Sequence, residues 1–187
     1  MEKSIKNIGK SLMKADDFKR VCDITKYEVP EESGFYAIAI NDAYDIEQPF
    51  CDELIERKHN LLYIGITKKG RTLRERLWEE ELHSIRYGTL FRSIGAIKGF
   101  RPPKGTLSPK RSTYKFSKED TESIIEWINE HIKVNYIISS LETADMKLIE
   151  QQLIHEYKPL LNIMHNPYKL KKLMELREEC ISIAREK

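Results

Sequence analysis

Two short apolar runs constrain the fold more than any other feature of this sequence. One covers residues 35–40 and follows Gly34, and the other covers residues 61–66 and follows Asn60. Both runs are rich in aliphatic and aromatic residues and are bounded by residues that favour turns, which is typical of buried β-strands. The sequence therefore predicts two strands that pair as neighbours in one sheet.

The rest of the chain is dominated by helical patterns. Apolar residues at helical spacing predict a peripheral helix over residues 3–19 and further helices over residues 72–87, 117–131 and 143–157. A short helix is expected over residues 52–58, a third strand over residues 134–139, and a last charged helix beginning at Asn166-Pro167. This order predicts an α+β fold with a small, mostly antiparallel three-stranded sheet flanked by helices.

The same patterns suggest how the chain is organised. Its 187 residues, 40% hydrophobic and 33% charged, suit one globular domain with a sizeable core. We expect a helical extension over residues 1–32, a central domain over residues 33–165 with a basic insertion at 86–118, and a C-terminal helix over residues 166–187.

Cysteine use and hydropathy predict the compartment. Cys22, Cys51 and Cys180 are odd in number and show no CxxC spacing, which argues against a disulfide framework or a zinc knuckle. No apolar run approaches the roughly 20 residues that a bilayer span requires, and residues 1–20 contain no apolar signal region. We therefore expect a cytoplasmic protein without a membrane partner.

Charge is unevenly distributed although the net charge is only +2. Residues 82–118 contain nine Lys and Arg and no Asp or Glu, with aromatic residues including Tyr87 and Phe91 between the cations. Such a segment is typical of a surface that binds a phosphate backbone. The alternative is a solvated, irregular loop, because the centre of the segment is rich in Gly and Pro.

Glu150 is the residue that packing explains least. On a helical wheel it falls within an apolar stripe formed by Met146, Ile149, Leu153, Ile154 and Tyr157. A carboxylate is almost never buried unless it is paired or bound to a metal, because its desolvation costs several kcal/mol. Three interpretations remain open: a metal ligand, a partner for Lys or Arg, and a side chain that reaches solvent.

Other polar residues recur in a pattern that suggests a site. Arg76, Glu80, His83 and Tyr87 lie along one side of the predicted helix, where Arg76 and Glu80 would form an ordinary i,i+4 ion pair. Tyr36 and Tyr63 lie within the two strands and would usually be core aromatics. Each is accompanied by a glycine, Gly34 or Gly65, and a glycine in a strand often marks a close approach of backbone or ligand.

These residues together resemble a known family. Gly34-Phe35-Tyr36 and Tyr63-Ile64-Gly65 resemble the two half-motifs of the GIY-YIG nuclease superfamily, and residues 73–77 are similar to its catalytic-arginine helix. Residues 150–162 resemble its pattern of Glu, Leu-Ile, Pro and Asn, and residues 91–96 with 127–134 look like a bacterial branch of unsettled role. Departures are Phe35 in place of Ile and Glu80 where many members carry His or Tyr.

The resemblance implies divalent-metal-dependent hydrolysis of DNA phosphodiester bonds. It implies that Glu150 ligates one Mg²⁺ or Mn²⁺ ion, that Arg76 holds the scissile phosphate, and that Tyr36 is the general base or a partner of metal-bound water. Tyr63 and His83 would orient water or shuttle the proton. Gly34, Gly65 and Asn162 would support the site.

The expected nucleic-acid-binding surface consists of Lys68, Lys69, Arg71, Arg74, Arg86, Arg92, Lys98, Arg101, Lys104, Lys110 and Arg111. RNA remains an alternative substrate, because phosphate contacts do not distinguish the two sugars. A catalytically silent nucleic-acid-binding module on the same fold is an alternative function. The oligomeric state stays open, and a homodimer is one of the possibilities.

Overall fold

An antiparallel sheet of four strands forms the centre of the protein. The computed structural model describes residues 2–86 and 88–187, and the side chains of residues 5–86 and 88–187. The strand order is β1-β4-β2-β3, with β1 at Lys19–Arg20, β2 at Gly34–Ile40, β3 at Leu61–Ile66 and β4 at Ile132–Ile138. The prediction of three strands is therefore correct for β2, β3 and β4 and wrong in omitting β1. A strand of two residues is too short to show an alternating pattern.

Helices cover the sheet, and their bounds are α1 Glu2–Leu12, α2 Phe50–Arg57, a π-helix Arg74–Leu82, α3 Thr89–Ile97, α4 Lys118–His131, α5 Thr143–Tyr157 and α6 Lys171–Arg185. The predicted helices over 52–58, 117–131 and 143–157 agree with α2, α4 and α5. The last helix begins at Lys171 instead of Pro167. Asn166 explains this difference, because its side chain donates to the Pro159 and Asn162 carbonyl oxygens and accepts from the Tyr168 amide, which stabilises a turn there.

The basic segment contains a helix that the sequence analysis did not predict. Every residue of α3 from Leu90 to Ile97 is buried, and the helix packs against α6. Leu90, Phe91, Ile94 and Ile97 recur at helical spacing, so the sequence carries a helical signal that the surrounding cations, Gly and Pro obscured. The interpretation of this whole segment as an irregular loop is therefore wrong for residues 89–97.

The helix predicted over residues 72–87 is shorter and of a different type. It is a π-helix that ends at Leu82, followed by His83 in a non-helical conformation. Tyr87, the predicted end, lies outside the described residues.

The two faces of the sheet carry two hydrophobic clusters. Tyr36, Ile38 and Ile40 of β2 pack into one cluster with residues of the π-helix, α3, α4 and α6. Phe35 and Ala37 point to the opposite face, where they pack with residues of α1 and α5. The period of two along β2 therefore places Tyr36 on the side of the π-helix. The first helix is not peripheral, because Ile5 and Leu12 of α1 are part of the second cluster.

The described cysteines are all free thiols: Cys22 is exposed, and Cys51 and Cys180 are buried. Within residues 2–86 and 88–187, no helix has the length and apolar character needed to cross a bilayer.

Candidate active site

Pairing of β2 with β3 brings the two tyrosines and one of the glycines together. Tyr36 is the register partner of Gly65, and Ile38 is the partner of Tyr63. The Tyr36 and Tyr63 rings are stacked, with centroids 6.2 Å apart. A Cβ atom at Gly65 would lie 2.3 Å from the Tyr36 hydroxyl oxygen, so the ring of Tyr36 covers this glycine. The glycine therefore marks a close approach of a side chain to the backbone.

Gly34 is required for a different close approach. A Cβ atom there would lie 2.1 Å from the Ile137 carbonyl oxygen of the neighbouring strand β4. The Gly34 amide also donates to the Thr67 hydroxyl at 3.0 Å. Any side chain at this position would push β2 away from β4.

Arg76 is held by two consecutive carboxylates. Its Nη1 lies 2.6 Å from Glu80 Oε2, and its Nη2 lies 2.6 Å from Glu81 Oε1. A π-helix has more residues per turn than an α-helix, so residues i+4 and i+5 both lie near residue i. Glu80 also pairs with Arg71 at 2.6 Å, which forms a continuous chain of alternating charges.

Glu81 is fully buried and connects three elements. Its Oε1 accepts a hydrogen bond from the Tyr36 hydroxyl at 3.4 Å, and its Oε2 accepts from the Leu90 amide of α3 at 2.7 Å. Burial raises the pKa of the Glu81 carboxyl. Sequence reasoning missed Glu81, because α-helical spacing places residue i+5 on the side of the helix away from Arg76.

Glu150 and Tyr63 line the same cavity. The cavity has a volume of about 280 Å³, and its lining includes Lys68, Thr89, Lys147 and Asn162. Burial raises the pKa of Glu150 to about 7, against the opposing effect of the Arg76, Lys68 and Lys147 cations. Of the three interpretations left open by the sequence, a simple ion pair has no support, because Glu150 has no salt bridge among the described residues.

Lys147 is a cation of this cavity that the sequence analysis did not single out. It lies three residues before Glu150 on α5, a spacing that places both on one side of a helix. This spacing is the sequence signal that could have identified Lys147.

Both tyrosine hydroxyls keep their proton more firmly in this buried environment than a phenol in water does. Burial raises the pKa of Tyr36 and of Tyr63 above the usual value for a phenol, and the Arg76 cation opposes this shift in both. Either phenol therefore acts at neutral pH from its protonated form unless a positive charge is added nearby.

Asn162 supports the site through the backbone of β3. Its Oδ1 accepts from the Ile64 amide at 2.9 Å, and its Nδ2 donates to the Ile64 carbonyl oxygen at 2.9 Å. The Leu160 and Leu161 amides also donate to carbonyl oxygens of β3. This pairing anchors the segment after α5 along the edge strand and fixes α5 relative to Tyr63.

His83 lies against Trp78 instead of against the tyrosines. Its Nδ1 is 2.9 Å from the Trp78 carbonyl oxygen, and the two rings have centroids 4.3 Å apart. Burial lowers the pKa of His83. Among the hydrogen bonds and ion pairs of the described residues, none joins His83 to Tyr36, Arg76 or Glu150.

The predicted nucleic-acid-binding residues fall into three groups. Lys68, Lys69, Arg86, Lys110 and Arg111 are exposed. A second group is engaged in ion pairs within the protein, and its pairs are Arg71 with Glu75 and Glu80, Arg74 with Glu31, Lys98 with Glu47, Arg101 with Glu179, and Lys104 with Glu186.

Arg92 forms the third group by itself. Its side chain is buried, donates to the Gly88 and Ser112 carbonyl oxygens, and lies against the Tyr114 ring. Burial lowers the pKa of Arg92 to about 10. It braces the start of α3 and is not on the surface.

The donor set around Glu150 fits a hard divalent cation. No cluster of three or more His, Cys, Asp or Glu side chains suitable for a metal ion occurs in the described part of the chain. Mg²⁺ does not need such a cluster, because it is commonly held by one or two carboxylates and completes its shell with water and substrate phosphates. A single carboxylate that faces a cavity satisfies this requirement.

Comparison with protein families assigns residues 34–179 to the GIY-YIG catalytic domain. The chain belongs to the GIY-YIG family. This confirms the resemblance and the α+β fold that it implied, and the GIY-YIG match extends into α6. GIY-YIG proteins are nucleases that act on nucleic acids and generally use divalent metal ions. Searches of curated proteins and of solved structures gave no significant match.

Proposed function

We propose that this GIY-YIG protein is an endonuclease that hydrolyses DNA phosphodiester bonds with one Mg²⁺ or Mn²⁺ ion. The observation that carries the proposal is the convergence of Tyr36, Tyr63, Arg76 and Glu150 from four separate elements. Tyr63 and Glu150 line one cavity, the buried Tyr36 ring stacks on Tyr63, and the Arg76 cation opposes the rise in pKa of all three of these groups. Phosphodiester hydrolysis needs stabilisation of charge on the phosphoryl oxygens and an activated water molecule. The convergent residues supply groups suited to both tasks.

Each residue has a role that follows from its chemistry. Arg76 binds the scissile phosphate with its planar guanidinium group, and Glu150 holds the divalent ion. The ion, when bound, stabilises negative charge on the phosphoryl oxygens and favours deprotonation of nearby groups. Tyr36 takes a proton from the attacking water while its own hydroxyl proton passes to the Glu81 carboxylate, and Tyr63 orients that water.

Exposed cations extend the proposed site along a nucleic-acid backbone. Lys68 and Lys147 flank Glu150 at the cavity, and Lys69 follows Lys68 in the same loop. Arg86 acts electrostatically on Glu75 and so lies near the π-helix. We include these four residues, with the exposed Lys110 and Arg111, in the DNA-binding surface.

The decisive experiment is a cleavage assay on supercoiled, linear and branched DNA with Mg²⁺, with Mn²⁺ and with chelator. Glu150→Ala is expected to abolish cleavage and to leave most DNA binding intact. Glu156→Ala is the matched control, because Glu156 is exposed on the same helix and takes no part in the site. Unaltered cleavage by Glu150→Ala would contradict the assignment of Glu150, and a parallel digestion of matched DNA and RNA identifies the substrate.

A catalytically silent nucleic-acid-binding module is the second candidate. The contacts of Arg76 favour it, because Glu80 and Glu81 both occupy the guanidinium group that a phosphate would need. Persistent DNA binding without nicking under all metal conditions would support this function and reject the nuclease.

Two further features belong to the proposal. We expect the protein to act in the reducing cytoplasm, in keeping with its three free thiols. The oligomeric state stays open, and sedimentation of the protein with and without DNA distinguishes a monomer from the homodimer that cutting of both strands would favour.

A further inference from the structure

We propose that Glu81 is a positioning residue of the nuclease site, which orients the Tyr36 hydroxyl and holds Arg76 beside it. This inference rests on the proposed function and adds a residue for which the family resemblance implied no role. Glu81 has no exposed surface, and it lies five residues after Arg76 in a π-helix. Helices of this type occur frequently at functional sites, where they re-aim side chains.

Three groups of the described residues contact the Glu81 carboxylate, and each is a hydrogen-bond donor. Oε1 receives Arg76 Nη2 at 2.6 Å and the Tyr36 hydroxyl at 3.4 Å, and Oε2 receives the Leu90 amide at 2.7 Å. Leu90 lies in the first turn of α3, where amides carry partial positive charge. A carboxyl group surrounded by donors on both oxygens is best satisfied in its ionised form.

This arrangement determines which part of the Tyr36 hydroxyl is available for chemistry. A phenol oxygen has one hydrogen and acceptor lone pairs. A tyrosine that accepts a proton from water must turn a lone pair, and not its hydrogen, toward that water. Donation to Glu81 directs the hydrogen away from that water and leaves a lone pair for it. As the lone pair takes the proton of the water, the phenol's own proton passes along this hydrogen bond to the Glu81 carboxylate.

Glu80 does not duplicate this role. It contacts Arg76 and Arg71 and makes no hydrogen bond to Tyr36. When Glu81 is replaced, Arg76 therefore retains one carboxylate partner, whereas Tyr36 loses the acceptor that orients it. The effect of Glu81 on the reaction is accordingly transmitted through Tyr36.

Glu81→Gln tests this role with little change in volume. The glutamine NH₂ group must face a donor whichever way the amide is turned, so the hydrogen bond of Tyr36 or that of Leu90 is lost. We expect kcat for DNA cleavage to fall about 100-fold, the size of a general acid–base contribution. KM and DNA affinity should change less than about 3-fold, because Arg76 keeps its Glu80 partner and the exposed cations are unchanged.

Glu79→Gln is the matched control, with the same charge change in the same helix and no hydrogen bond or ion pair between its side chain and the described residues. It is expected to keep the wild-type kcat. An equal loss in both variants would show that any charge change in this helix lowers activity and would overturn the specific role of Glu81.

A double-mutant cycle separates positioning from general destabilisation. If Glu81 acts through Tyr36, Glu81→Gln should reduce cleavage less than about 3-fold further in a Tyr36→Phe background. Independent losses that multiply would overturn the inference, as would an unchanged kcat in Glu81→Gln.

A second variant covers the case in which Glu81→Gln does not fold, as judged by thermal unfolding. Glu81→Asp keeps the charge but withdraws it by one methylene, and we expect at least a 10-fold loss of kcat with the same dependence on Tyr36. If the wild-type protein cleaves DNA and the Glu81 variants cleave it equally well, this inference is rejected and the proposed function stands. Wild-type protein that never cleaves would reject the proposed function and this inference together.

Discussion

Gly65 and the hydroxyl end of Tyr36 compete for the same space in the sheet. The two residues are register partners, and a Cβ atom at Gly65 would lie 2.3 Å from the phenol oxygen. Gly65→Ala must therefore displace the buried ring of Tyr36. We expect the free energy of unfolding to fall by about 1 to 3 kcal/mol, as for other overpacked cores. DNA cleavage should fall at least 10-fold, measured alongside urea unfolding.

Gly99→Ala is the control for this prediction. Gly99 has a φ of +85° with open space around its Cβ position, so alanine is destabilising only through its backbone conformation. Comparable instability with wild-type cleavage is expected. If Gly65→Ala retained full activity, the position of the Tyr36 hydroxyl would not matter for the reaction.

Glu150 should make the stability of the metal-free protein depend on pH. Its pKa is raised to about 7 from 4.5, so the folded state binds more protons than the unfolded state between these values. The free energy of unfolding should therefore decrease as the pH rises from 5 to 8. In chelator, we expect the wild-type protein to lose about 1 to 3 kcal/mol of its free energy of unfolding over this pH range, relative to Glu150→Gln. If the free energies of unfolding of the two proteins change with pH in parallel, burial does not raise the pKa of Glu150.

Lys68 and Lys147 should contribute more to DNA binding than the cations of the ion-paired group. Each faces the cavity beside Glu150, whereas Lys104 is paired with Glu186. Replacing either lysine by alanine should weaken binding and reduce the slope of log K against log salt by about 1. Lys104→Ala is the control, and its salt slope should stay near the wild-type value. A larger effect of Lys104→Ala would indicate that the DNA-binding surface lies near α6 instead.

Asn162→Ala should loosen α5 from the edge of the sheet. The substitution leaves the Ile64 amide and carbonyl oxygen, both buried, without their side-chain partner. Unsatisfied buried groups cost about 1 to 3 kcal/mol each, so the free energy of unfolding should fall by about 2 to 4 kcal/mol. Denaturant unfolding checks this value. A change below 0.5 kcal/mol, about that of a neutral surface substitution, would show that water replaces both bonds.

Local patterns were sufficient for much of the fold and for part of the site. The strands β2 and β3 are continuous apolar runs bounded by turn residues, and α5 carries apolar residues at helical spacing, so local patterns predict all three. Glu150 stands out because it is a carboxylate within an apolar stripe, and Tyr36 and Tyr63 stand out because a glycine accompanies each. The family resemblance adds Arg76.

Other features depend on contacts that sequence separation conceals. The burial of α3 depends on its packing against α6, which lies far along the chain, and β1 is defined only by its pairing with β4. The availability of each cation depends on acidic partners far along the chain, as in Arg101 with Glu179. Counting charges along residues 82–118 therefore overstates the positive surface.

The amino-acid order establishes which groups are available for chemistry and, through the periods of two and 3.6, which of them share a strand or helix face. The hydrogen bond between Tyr36 and Glu81 is decided only by the tertiary structure. It requires the π-helical turn that turns Glu81 toward Arg76 and the packing of α3 that directs the Leu90 amide at the carboxylate. The wider turn of a π-helix brings residue i+5 to the side of residue i, and a buried ion is tolerated only when its surroundings supply partners for it.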